Sequence, residues 1–76
     1  MPLKYRALVQ RLREHGVKEE MRRGGTGHRM FVREGPPRIT YPWSWHGDNE
    51  DMPDSWIKAV CRRFGIDFKQ LMRRRD

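Results

Sequence analysis

The chain has 76 residues, a formal net charge of +7 and a sequence pI near 10.5. That length permits one domain with one small core, spanning residues 1–76. A single cysteine, Cys61, excludes an internal disulfide, and no apolar run approaches bilayer-spanning length.

With Leu3 to Leu12 broken by Lys4, Arg6, Gln10 and Arg11, no secretory signal is visible, and a soluble cytoplasmic protein is expected. Residues 1–46 carry ten Lys/Arg against four Asp/Glu, residues 47–54 four acids and no base, and residues 55–76 seven bases against two acids. Thirteen of the seventeen bases are Arg, whose planar fork suits phosphate better than the point charge of Lys. Basic surface with interspersed aromatics points to nucleic acid or an acidic protein partner.

In chain order, Pro2 to His15 reads as an amphipathic helix, with Tyr5, Leu8, Val9 and Leu12 on one face and Gly16 as its stop. Val17 to Arg23 alternates weakly and suits an edge strand, although Glu19 spoils its apolar face. Gly24 to Gly27 reverses the chain into a strand over His28 to Arg33. After Gly35-Pro36-Pro37, Arg38 to Tyr41 reads as a third strand that Pro42 ends. Residues 43–51 read as a loop in which Trp43 and Trp45 either lid the core or stack on bases. Met52-Pro53-Asp54 opens a second helix with Ile57, Val60, Cys61 and Phe64 as its stripe and Gly65 as its end. Tyr5 and Trp56 read as core. Asp67 caps a last turn, and residues 68–76 form a basic C-terminal turn and tail.

The order is α-β-β-β-α, an α+β fold with a three-stranded antiparallel sheet and both helices on one face. Should Met30 and Val32 face the helices, His28 lies at the rim of the covered face, and Phe31 sits on the open sheet with Arg29 and Arg33. A bulge would change that parity.

The stretch with most chemistry is Arg22 to Arg33. Histidine is the side-chain type suited to proton transfer near neutral pH, so His28 is a candidate acid or base. Arg22, Arg23, Arg29 and Arg33 are candidates to bind phosphate, as are the backbone N–H groups around Gly25 and Gly27. Phe31 is a candidate RNA contact. His46, Trp43 and Trp45 are auxiliary candidates. The competing assignment for His28 is a structural strand-end histidine. His46, Asp48, Glu50, Asp51 and Asp54 match no metal-loop spacing, so no metal and no cofactor are expected.

The chain resembles the HicA family of toxins from HicA–HicB toxin–antitoxin pairs. The features that carry the likeness are a helix ending in His15-Gly16-Val17, then Gly25-Thr26-Gly27-His28 with an aromatic three residues on. A strand closing at Pro42, the pair His46-Gly47, and a helix from Ile57 to Gly65-Ile66 follow. The family usually has Ser before the histidine, where this chain has Gly27. The resemblance implies a double-stranded-RNA-binding-domain-like fold and a metal-independent endoribonuclease acting on mRNA. It also implies one active-site histidine, His28 by position, and a cognate HicB-like antitoxin, acidic in character, covering the site. Two other readings stand beside it. One is a non-catalytic RNA-binding module of the same fold; the other is a small adaptor for an acidic protein.

Overall fold

A computed structural model of the chain describes residues 3–21, 28–44 and 47–73. It is α+β. The elements run β1 (Leu3–Lys4), α1 (Tyr5–Glu14), β2 (Lys18–Met21), β3 (His28–Arg33), β4 (Ile39–Ser44), β5 (Asp51–Met52), α2 (Asp54–Phe64) and α3 (Phe68–Met72). The central sheet is antiparallel in the order β2-β3-β4, and β1 pairs with β5 in a separate two-residue ribbon. The expected α-β-β-β-α order is present, the expected last turn is α3, and the β1–β5 ribbon is added.

Both main helices pack on one face of the sheet. Tyr5, Leu8, Val9 and Leu12 of α1 and Ile57, Val60, Cys61 and Phe64 of α2 are the buried stripes, as their spacing requires. They join Val17, Phe31, Met52 and Leu71 in a single core. Its centre is an aromatic row. Tyr5 lies 6.1 Å from Phe31, Phe31 6.5 Å from Trp43, and Trp43 5.3 Å from Trp56, ring centre to ring centre. Trp56, expected in the core, ends this row at the surface, 44% exposed.

Helix α1 starts three residues later than expected because Leu3 and Lys4 are extended and paired with β5. Lys4 provides no side-chain cap. Instead the N–H of Tyr5 donates to the Glu50 carbonyl at 2.8 Å and that of Arg6 to the Asp48 carbonyl at 3.0 Å. The acidic stretch thus satisfies a helix start through its backbone. Gly16 and Gly65 take positive φ of 80° and 67° where the two helices stop, a conformation costly for a residue with a Cβ. Asp67 caps α3 by accepting from the Lys69 N–H at 2.9 Å.

Pro42 does not end the third strand, which continues to Ser44. As β4 is an edge strand, a proline there needs only its missing N–H turned away from β3. The Thr40 carbonyl fixes that alternation: it accepts from Arg63 Nε at 3.0 Å, so even-numbered residues of β4 turn their backbone groups outward. Trp43 therefore lies in a strand rather than a loop. No helix among the described residues is long and apolar enough to cross a membrane.

Candidate nucleic-acid site

The register of the sheet decides which side chains share a face. Lys18, Val32 and Thr40 stand opposite one another, as do Glu20, Met30 and Pro42; His28 stands opposite Ser44. The intervening rows are Glu19, Phe31 and Tyr41, then Met21, Arg29 and Trp43. Phe31 is fully buried against the helices, so the second set is the covered face and the first the open one. The pairing is one to one throughout, with no bulge among the described residues.

This reverses the parity considered from the sequence. His28 is exposed on the open face, at the N-terminal end of β3. Phe31, expected as an RNA contact, is a core side chain with no exposed area and cannot stack on a base. Arg29 and Arg33 turn away from His28. Arg29 Nη1 lies 3.0 Å from Glu19 Oε2, and the Arg29 side chain is 15% exposed. Arg33 Nη1 donates to the Phe64 carbonyl at 2.5 Å, with its guanidinium 5.9 Å from the centre of the Phe64 ring. Both arginines therefore bind the scaffold: one links β3 to β2, the other links β3 to the end of α2.

The source of the misleading signal is Val32. It is fully buried although it belongs to the open face. On that face Lys18 Nζ is 3.4 Å from both Glu20 and Glu34, and Arg38 reaches Glu20 at 3.4 Å and Glu34 at 3.2 Å. The alkyl stems of these four residues screen Val32 while their heads stay in water. Two cations and two anions alternate, so this end of the face is electrically balanced. The two carboxylates raise the Lys18 ammonium pKa, through hydrogen bonds first and charge second.

What remains available is the other end of the face, with His28, Met30, Pro42 and Ser44. A directly opposed pair has Cβ atoms about 4.5–5.5 Å apart, so the Ser44 hydroxyl is a near neighbour of the imidazole. Ser44 also forms the lip of a cleft of about 320 Å³ along the outer edge of β4, lined by Tyr41, Pro42, Trp43 and Trp56 as well. Trp43 Nε1 is buried and finds no acceptor among the described residues.

Arg22, Arg23, Gly25, Gly27, Trp45 and His46, all named from the sequence, lie outside the described residues. The sequence reading missed Ser44, which carries no motif, and Tyr41. It also misjudged Trp56, although a large aromatic just off the Ile57–Phe64 stripe was a usable signal. Among the described residues no group of three His, Cys, Asp or Glu side chains gathers as metal ligands would. Neither a scan against protein-family models nor a search of curated proteins returns a match for this chain.

Proposed function

We propose that this chain is a metal-independent endoribonuclease acting on mRNA, the toxin half of a toxin–antitoxin pair, with His28 as general acid or base. The observation that carries the reading is the exposed imidazole on the uncovered sheet face, next in sequence to the Arg22–Gly27 segment. Intramolecular RNA cleavage takes a proton from a ribose 2′-OH as that oxygen bonds to phosphorus. The bond from phosphorus to O5′ then breaks, and a proton is delivered to O5′. His28 supplies one of these transfers, worth roughly 10²–10⁴-fold in rate. Water, His46 or an Arg supplies the other. Arg22 and Arg23 remain the candidates for the phosphoryl oxygens, since Arg29 and Arg33 face the scaffold.

A protein working this way in the cytoplasm needs an inhibitor. A HicB-like partner, acidic to match the +7 charge, would cover His28. Induced expression of wild type should arrest growth and deplete total mRNA, while His28→Ala should do neither. Equal arrest by both would discard the assignment.

The α+β fold with its three-stranded antiparallel sheet supports one second reading, a non-catalytic RNA-binding module of double-stranded-RNA-binding-domain-like fold. It predicts RNA affinity with a steep salt dependence and no cleavage products in EDTA.

A further inference from the structure

We propose that the cleft along the outer edge of β4 is a nucleobase subsite, and that the substrate is accordingly single-stranded RNA with a splayed base rather than duplex. The inference rests on the functional reading above only for the position of the scissile phosphate at His28.

Three observations define the site. Its walls are aromatic: Trp43 and Trp56 meet edge to face at 73°, and Tyr41 completes the lining. Trp56 is exposed while its ring is held by Trp43, so a flat π surface is already positioned for stacking. The cleft also carries hydrogen-bonding groups. The outward Thr40 carbonyl shows that Pro42 and Ser44 turn their backbone outward too. This presents the carbonyls of Pro42 and Ser44 and the N–H of Ser44 along one rim, acceptors and a donor suited to a base edge. Finally, Ser44 is the cross-strand partner of His28, so cleft and imidazole are contiguous on the two sides of one residue.

These features select an unpaired base. A base within a duplex has both faces stacked and its pairing edge occupied, so it cannot enter a cleft walled by rings. The positive charge of the chain suits the polyanionic strand that carries the base.

The test is fluorescence anisotropy with 2′-O-methyl RNA, which cannot be cleaved, as a mixed-sequence single strand and as a duplex. Wild type should bind the single strand more tightly. Trp56→Ala should weaken single-strand binding by about 5- to 150-fold, the range for loss of one stacked base, and leave duplex binding unchanged. Trp56→Phe, which keeps a stacking ring, should recover most of the affinity, and that recovery separates stacking from loss of fold. Equal affinity of Trp56→Ala and wild type for the single strand would overturn the subsite. So would a Trp56→Ala defect confined to docking of a protein strand on β4. His28→Ala should keep single-strand affinity within a few-fold of wild type. If it also cleaves natural RNA as wild type does, the catalytic reading fails while the base subsite stands.

Discussion

The hydroxyl of Tyr5 donates to Oε2 of Glu19, the same carboxylate oxygen that Arg29 approaches at 3.0 Å. Helix α1 and strands β2 and β3 therefore meet at one acid on the covered face. The glutamate that interrupts the apolar alternation of β2 is the acceptor that a buried phenol and a nearly buried guanidinium require.

Burial, and then the bond to Glu19, raise the Tyr5 phenol pKa well above the usual tyrosine value. A folded-state pKa above the unfolded one means the stabilisation is complete below the ordinary tyrosine pKa of about 10 and is lost as pH climbs beyond it. Tyr5→Phe should cost about 1.5–3 kcal/mol at pH 7, a hydrogen bond to a charged acceptor. It should also flatten the fall of stability above pH 10. Urea unfolding at pH 7 and pH 10.5 checks both; an unchanged alkaline slope would count against the linkage.

Phe31 sits between Tyr5 and Trp43 with no exposed area, so its removal is a core deletion. Phe31→Ala should cost about 3–5 kcal/mol, a large share of what a domain this size has available. Thermal unfolding measures it. A Phe31→Ala protein of wild-type stability but weakened RNA binding would restore Phe31 to the open face.

Much of the scaffold was legible in the sequence. The stripes of α1 and α2, the stops at Gly16 and Gly65 and the Asp67 cap are local, and local spacing reports them. The β1–β5 ribbon was not legible, because it joins Leu3 to Met52 and Lys4 to Asp51 by backbone pairing across most of the chain. The length of β4 was missed because Pro42 is forbidden only where its N–H would be needed. The face of His28 turned on Val32, an apolar residue buried by its charged neighbours rather than by the core. Alternation cannot distinguish those two kinds of burial, so the sequence reading put His28 on the wrong face and misassigned which neighbours share it.

Cys61 is 2% exposed, and burial first, then nearby Asp67, push its thiol pKa upward. The thiolate is the reactive form, so the native protein should react with a thiol reagent at pH 8 at least tenfold more slowly than in urea. Equal rates would show that α2 opens readily.

Gly65 holds φ at 67° with open space where a Cβ would stand. Gly65→Ala should therefore cost only the left-handed strain, about 1–2 kcal/mol, and Gly65→Asn less. Paired denaturation curves decide it; a larger loss for Asn than for Ala would contradict the conformational account.

The central claim is that the His28 imidazole moves a proton during RNA cleavage. The most direct measurement is the rate of cleavage of total mRNA in EDTA by purified wild type and His28→Ala, with affinity for 2′-O-methyl RNA measured alongside. The account predicts a loss of about 10²-fold or more in rate with affinity kept within a few-fold. A His28→Ala protein that cleaves within a few-fold of wild type would contradict it.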